Sequence, residues 1–143
     1  MTETTEHLRP FAHAAQNRCF GCGPANLTGL RLKFLIAEDG SAVCFTAVSD
    51  LFEGPLHYLH GGIIATLLDE AMSNAVRASG RTAMTRQMEV DYLRPVPSGA
   101  DLRIEGRLVR SAGRKHWTEA KIVSAKGITL AEARGLFIEV RTK

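Results

Sequence analysis

The sequence has few features that would place it outside the class of ordinary globular domains. None of its apolar runs approaches the ~20 residues that a membrane-spanning helix needs. It contains no internal repeat and no low-complexity segment, which argues against repeat arrays and fibrous proteins. Hydrophobic residues make up 45% of the 143 residues, so a full core is possible and global disorder is not expected. The length suits one domain better than two.

Cysteine is scarce, and its count of three is odd, which argues against a disulfide scaffold. The first six residues, MTETTE, are acidic and polar, unlike a secretory signal. From these two features we expect a soluble cytoplasmic protein that has no membrane partner.

Charge of one sign is also in small excess, since the formal net charge is only +3. That value does not imply a nucleic-acid partner, and we expect none. The basic residues are nevertheless unevenly placed, and two interpretations stay open: solvated strand faces and turns, or a patch for a phosphate-bearing small molecule. No Walker loop or dinucleotide fingerprint is present, so any phosphates would be held at the surface by basic groups. The clustered residues are Arg86, Arg94, Arg103, Arg107, Arg110, Arg114 and Lys115.

The hydrophobic pattern predicts two strands, one long helix and four further strands. Asp39-Gly40 lies between the first two alternating segments and is a strong hairpin signal. Apolar residues cover more than half the circumference of the predicted helix, which ends at Gly80, so the helix should be largely enclosed. One enclosed helix against a mainly antiparallel sheet makes an α+β domain. The predicted strands are 31–37, 41–48, 84–93, 102–109, 116–123 and 129–140, and the predicted helix is 60–79.

Two parts of the chain differ in character. The composition of residues 1–17 predicts a polar lead-in, with a short helix near residues 8–16. Residues 18–143 predict a single domain.

The sequence HGGIIATLLDE at residues 60–70 carries the clearest chemical signal. Two glycines stand where the apolar helix begins, so backbone N–H groups there can face an oxygen that gains negative charge. Asp69 then interrupts the apolar run at the border between the helix faces. A carboxylate at the edge of a buried helix can act as a base or a nucleophile. Together these features supply two of the parts needed to cleave an acyl bond.

The element order and the His-Gly-Gly…Asp spacing resemble the hotdog-fold acyl-CoA thioesterases, most closely the phenylacetate-degradation (PaaI-like) type and its mammalian acyl-CoA thioesterase relatives. The segment CFGCG at residues 19–23 resembles their lead-in, and DYLRPVP at residues 91–97 resembles the strand that follows their helix. The resemblance spans about residues 18–140. It implies a hotdog fold in which the sheet wraps the long helix. It also implies that two subunits pair to complete the site, as a homodimer or homotetramer.

The resemblance assigns roles to particular residues. It implies that Asp69 attacks the thioester or activates a water, and that the Gly61 N–H polarises the thioester carbonyl. Thr85 matches a hydroxyl that, from the partner subunit, would orient the water. His60 matches a position near the substrate carbonyl, with a helix cap as the alternative. Glu70, directly after Asp69, is the alternative working acid.

The resemblance also places coenzyme A, which enters as part of the substrate, so we expect no separate cofactor. Gly113-Arg114-Lys115 resembles a turn near the nucleotide end of coenzyme A. Arg86 and Arg94 are weaker candidates for the same role.

The pair Cys19-x-x-Cys22 stands alone, and one CxxC without a second pair is weak support for zinc. His57 and His60 are the residues that would complete a metal site, and a redox role is a further alternative. We favour a packed turn over both, and we expect no metal.

The predicted function is hydrolysis of an acyl-CoA thioester to free acid and coenzyme A, with Asp69 as general base or nucleophile. The first alternative is a non-catalytic acyl-CoA-binding hotdog, a sensor or carrier, which has no need for Asp69 at this spacing. The second is a hotdog dehydratase, which resembles a different pattern in which the catalytic His and acid are arranged otherwise.

Overall fold

The computed structural model of the chain describes residues 7–141. One helix, α1 (Gly61–Ala78), packs against a seven-stranded sheet of order β1-β2-β3-β5-β6-β7-β4, and every strand pair in this described part is antiparallel. This is the predicted α+β arrangement. The strands are β1 (Arg9–Pro10), β2 (Leu35–Ile36), β3 (Ala42–Thr46), β4 (Ala83–Tyr92), β5 (Leu102–Ala112), β6 (Lys115–Ser124) and β7 (Thr129–Glu139).

Helix α1 begins and ends where its sequence signals lie. His60 is the N-cap, and its Nδ1 accepts a hydrogen bond from the Gly62 N–H at 2.9 Å. Ser79 is the C-cap, and Gly80 follows with φ 90°, a left-handed conformation that glycine adopts without strain. The predicted helix 60–79 therefore differs from α1 only by counting both cap residues as helical.

The sheet encloses the apolar side of α1, as the width of that face predicts. The closest approach is at Gly106 in β5, where a methyl group would overlap the backbone carbonyl of Ala71. The helix therefore lies directly on the strand at this point. The buried apolar residues of α1 are Ile64, Leu67, Leu68, Ala71, Met72, Ala75 and Val76.

The lead-in joins the sheet, and the short helix expected near residues 8–16 is wrong. Arg9 and Pro10 form β1, which pairs antiparallel with β2 at the sheet edge. Proline lacks an N–H and is tolerated at such an edge. Arg77 of α1 then holds the chain, since its Nη2 donates to the Phe11 carbonyl at 3.0 Å and its guanidinium lies 3.6 Å from the Phe11 ring centroid. The division between residues 17 and 18 stays a prediction.

Two strand boundaries differ from the predicted ones for local reasons. Strand β2 covers only Leu35 and Ile36 of the predicted 31–37, since only these two residues pair with neighbouring strands. Arg31, at the start of the predicted range, adopts φ 48°, outside the extended region. Strand β5 runs past residue 109 to Ala112. The prediction stopped at residue 109, because a β-bulge between Leu108 and Arg110 shifts the register and breaks the alternation of apolar and polar residues there. The predicted hairpin turn is confirmed, with Gly40 at φ 87° between the antiparallel β2 and β3.

All three cysteines are free thiols. Cys44 lies in β3, and burial raises the pKa of its thiol to about 11. Between residues 7 and 141 no helix has the length and apolar character required to cross a membrane. The cytoplasmic location stays a prediction.

Candidate active site

Asp69 lies where α1 faces the first residues of β4. The Oγ1 of Thr85 donates a hydrogen bond to Asp69 Oδ1 at 2.6 Å. Thr85 is exposed and Asp69 is partly exposed, so the pair is accessible. Within residues 7–141 no donor reaches Asp69 Oδ2. A carboxylate with one oxygen fixed and the other open can act as a base or a nucleophile.

The structure corrects the origin of the threonine. Thr85 was expected from the partner subunit, but the Thr85 bonded to Asp69 belongs to the same chain. The reason is topological: only residues 79–82 separate α1 from β4, so the strand returns alongside the helix that precedes it. A β-bulge between Thr85 and Gln87 re-aims the side chains at this point of the strand.

The two adjacent carboxylates, Asp69 and Glu70, face different surroundings. Glu70 Oε1 accepts a hydrogen bond from the Cys19 thiol at 3.4 Å, and burial raises the pKa of the Glu70 carboxyl. Glu70 therefore lies under the cysteine turn, whereas Asp69 meets the exposed hydroxyl of Thr85. The geometry favours Asp69 over Glu70 as the acid that a reactant can approach.

The start of α1 presents an unpaired N–H. His60 Nδ1 accepts the Gly62 N–H, whereas the Gly61 N–H, the first of the helix, has no acceptor in the described part of the chain. The Gly61 carbonyl accepts from the Tyr92 hydroxyl at 3.0 Å, which ties the helix start to the end of β4. An unpaired N–H at the positive end of a helix dipole suits a developing oxyanion. His60 itself serves as the helix cap.

Three of the four predicted phosphate-binding side chains share one open groove of about 550 Å³. Arg94 lies outside it, in the segment after β4, where its backbone N–H bonds to the Leu130 carbonyl. Arg114 is oriented by two hydrogen bonds to the Glu139 carbonyl, 3.2 Å from Nε and 3.0 Å from Nη2. The groove is lined by Arg86, Ala112, Arg114, Lys115, Trp117 and Ile138.

The other clustered basic residues have separate environments. Arg103 pairs with Glu105, and Arg107 pairs with Glu119, beside a larger cavity of about 850 Å³ that does not include Asp69. These charged positions alternate along β5 with helix-facing buried residues, so that cavity lies on the sheet face opposite α1. The solvated-face interpretation therefore fits Arg103 and Arg107, and the phosphate patch stays a prediction for the groove.

Three relationships have no signal in the sequence pattern. Tyr92 was not singled out, yet it contacts Gly61. Glu70 and His13 were not linked to the cysteine pair, yet both lie against it, whereas His57 and His60 do not join that group. Each relationship depends on how separate segments meet in the folded chain.

The enclosed helix and the antiparallel sheet agree with the comparisons with known proteins. A family model described as the thioesterase superfamily matches residues 56–131, more than half of the chain. The chain belongs to the thioesterase superfamily, and its fold is the hotdog fold. The match begins just before the helix cap and ends within β7.

Individual relatives support this membership. Acyl-coenzyme A thioesterase THEM4 of Xenopus laevis is 36% identical over 100 residues, which are 68% of this chain and 45% of that protein. A solved thioesterase superfamily protein superposes with a TM-score of 0.81 at 30% identity, covering 85% of this chain and 60% of that chain. The chain spans about half the length of the curated relatives it matches.

Two further solved structures share the fold at lower identity. The PaaI protein from the Escherichia coli phenylacetic acid degradation operon superposes with a TM-score of 0.72 at 22% identity, covering 78% of this chain and 81% of that chain. A Streptococcus pneumoniae thioesterase protein, solved with coenzyme A, superposes with a TM-score of 0.69 at 23% identity, covering 73% of this chain and 85% of that chain. At these identities the likeness is one of fold alone.

Proposed function

We propose that this chain hydrolyses an acyl-CoA thioester to free acid and coenzyme A, with Asp69 as general base or nucleophile. The observation that carries this proposal is the 2.6 Å hydrogen bond from Thr85 to Asp69, which fixes an accessible carboxylate at one oxygen. Relatives named acyl-coenzyme A thioesterase and a fold neighbour solved with coenzyme A support the substrate class.

Each residue then has a chemical task. As a base, Asp69 Oδ2 takes a proton from water, and the water oxygen attacks the thioester carbon. As a nucleophile, Oδ2 attacks that carbon directly, and water hydrolyses the resulting anhydride. In both routes the C–S bond breaks and coenzyme A leaves as the thiol after gaining a proton. The Thr85 hydroxyl donates a hydrogen bond to Asp69 Oδ1, and the lone pairs of the hydroxyl oxygen remain able to accept a hydrogen bond from the water.

The oxyanion donor cannot come from the same copy of the chain. Gly61 and Asp69 are separated by eight residues of helix, or about 12 Å along the axis at 1.5 Å per residue. A base and an oxyanion donor must each lie within about 3 Å of neighbouring reacting atoms. The proposal therefore takes Asp69 and Thr85 from one copy and the Gly61 N–H from another.

Strand β4 provides the surface for that second copy. It is ten residues long and occupies an end of the sheet order, so one of its edges is unpaired within residues 7–141. Met84 and Tyr92, near its two ends, are 64% and 54% exposed. An unpaired edge of this length is a template for pairing with another strand.

Antiparallel pairing of two β4 edges about a two-fold axis reverses one strand against the other. The Thr85 end of one copy then lies towards the Tyr92 end of its partner. Because Thr85 contacts Asp69 and Tyr92 contacts Gly61, this arrangement brings Asp69 of one copy towards Gly61 of the partner subunit. The proposed assembly is a homodimer with two composite sites, or a tetramer of two such dimers.

In this proposal the basic groove binds the phosphate groups of coenzyme A. Arg86 directly follows Thr85 in β4 and shares the groove with Arg114 and Lys115. Guanidinium and ammonium groups are suited to the diphosphate and 3′-phosphate of coenzyme A. A carrier would use the same groove but has no need for the Asp69 carboxylate. Release of free thiol from a panel of aryl-acetyl, short-chain and long-chain thioesters separates the two functions: tight binding without release on every member would favour the carrier.

Mixed subunits test the composite site. Gly61→Pro removes the N–H at a position where helices accept proline, and Asp69→Asn removes the acid. Each variant alone should be inactive. In an equal mixture, about a quarter of all sites would regain both intact groups if the site is shared between copies. No recovery after subunit exchange, or activity in a sedimenting monomer, would reject the shared site.

A further inference from the structure

Three potential metal ligands converge beneath the CFGCG turn. The Sγ atoms of Cys19 and Cys22 and a carboxylate oxygen of Glu70 all lie within 4.8 Å of one another. In the described residues 7–141 no other group of three or more such side chains comes this close. The cysteines are 51 and 48 residues from Glu70 in sequence, so the fold itself assembles the group.

A fourth ligand type comes from the lead-in. The Nε2 of His13 lies 3.0 Å from Cys22 Sγ, and the Cys19 thiol lies 3.4 Å from Glu70 Oε1. In a tetrahedral zinc site with ordinary bond lengths, neighbouring ligand atoms are about 3.4–3.8 Å apart. The Cys19–Glu70 spacing already fits. His13 contacts Cys22 but lies outside the group of atoms that are all within 4.8 Å of one another, so binding requires its ring to move towards Cys19 and Glu70.

The backbone conformation of the turn places the two thiols close to the Glu70 carboxylate. The Gly23 N–H donates to the Cys19 carbonyl at 2.9 Å and closes the turn. A methyl group on Gly21 would overlap the Glu70 side chain, and one on Gly23 would overlap the backbone of Cys19. Glycine at both positions is therefore required for this approach.

We propose that Cys19, Cys22, Glu70 and His13 bind a zinc ion in a tetrahedral site that fastens the lead-in and the cysteine turn to α1. Two sulfurs, one nitrogen and one carboxylate oxygen form a donor set that zinc accepts. Binding transfers the thiol protons of Cys19 and Cys22 to solvent, and both sulfurs coordinate as thiolates.

Metal analysis of the tag-free chain tests the site directly. Protein purified under reducing conditions without chelator should hold about one zinc per chain, and cobalt in its place should give thiolate charge-transfer and tetrahedral d–d absorption. Cys19→Ser and Cys22→Ser should lose both signals. The matched control is Cys44→Ser, since Cys44 is the third free cysteine and lies in β3 outside the cluster. It should retain both.

Two carboxamide variants keep the test decisive where a cysteine variant fails to fold. Glu70→Gln and His13→Gln should each weaken zinc binding by ~10–100-fold or more, at least as much as loss of a residue that only orients a ligand. A folded wild-type chain that binds neither zinc nor cobalt would overturn the proposal. Zinc retained by the Cys19→Ser, Cys22→Ser double variant would overturn it as well. Because metal content is the readout, these results do not depend on thioesterase activity.

Discussion

The backbone carbonyl of Ala71 rests on Gly106, with no side chain between helix α1 and strand β5. This contact sets the height of the helix above the sheet. Asp69 lies two residues before Ala71, so the same contact helps to fix the position of Asp69 relative to Thr85. A glycine in the middle of a strand is otherwise unfavourable, and here close packing explains it.

Gly106→Ala should lower the free energy of unfolding by about 1–3 kcal/mol, because the added methyl group meets rigid helix backbone. Gly135→Ala is the matched control in β7. Its methyl group would lie 3.2 Å from the terminal atoms of the Met72 side chain and 3.2 Å from the edge of the Phe137 ring, and side chains move more easily than backbone. Urea denaturation measures both variants. An equal loss at the two positions would contradict this explanation of Gly106.

Thr85→Ala should lower kcat more than it raises KM. A hydrogen bond to a charged group contributes about 1.5–3 kcal/mol, which corresponds to roughly 10–100-fold in rate if it holds the acid for the transition state. Thr85→Ser keeps the hydroxyl and should restore most of the rate. Thr82→Ala, at an exposed threonine just before β4, is the control. A raised KM with unchanged kcat would make Thr85 a substrate contact only.

Replacing Arg114 and Lys115 together with alanine should raise KM for a full acyl-CoA more than for a truncated pantetheine thioester, which lacks the nucleotide phosphates. Salt should raise the wild-type KM for the full substrate and affect the double variant less, because surface charges are screened over ~8–10 Å at ordinary ionic strength. Arg94→Ala, outside the groove, should behave like the wild type. Equal losses with both substrates would contradict a phosphate role for the pair.

Acid should weaken the contact between His116 and Glu139. The Nε2 of the buried His116 donates a hydrogen bond to Glu139 Oε1 at 3.0 Å, and this bond, together with the neighbouring Arg81, lowers the pKa of Glu139 from its ordinary 4.5. A depressed carboxyl pKa stabilises the fold above pH 4.5 and loses that effect as pH falls through the folded-state value. Unfolding midpoints measured from pH 6 to pH 3 should therefore fall less steeply in Glu139→Gln. Glu132→Gln, at an exposed glutamate of the same strand, should keep the wild-type slope.

Features that depend on neighbouring residues were readable from the sequence. The helix, its glycine stop at Gly80 and the Gly40 hairpin follow from periodicity and turn chemistry within a few residues. The hotdog fold followed from the order of those elements and their resemblance to a family. The bulge in β5 and the left-handed Arg31 were not readable, because tertiary packing decides both.

Features that depend on distant residues required the structure. Thr85 and Tyr92 were both visible as strand residues, but their contacts with Asp69 and Gly61 span 16 and 31 residues. The pairing of Cys19 with Glu70 spans 51 residues. Local sequence pattern carries no information on such contacts, which the packing of β4 and the cysteine turn against α1 creates.

The catalytic role of Asp69 is tested most directly by steady-state thiol release from Asp69→Asn beside the control Asp91→Asn, an exposed aspartate of β4. The amide keeps the volume and the Thr85 contact but removes both base and nucleophile. Turnover by a folded Asp69→Asn protein should fall by ~10²–10⁴-fold, while Asp91→Asn stays near the wild-type rate. Near-wild-type thiol release from Asp69→Asn would contradict the account, and loss confined to Glu70→Gln would move the acid by one residue.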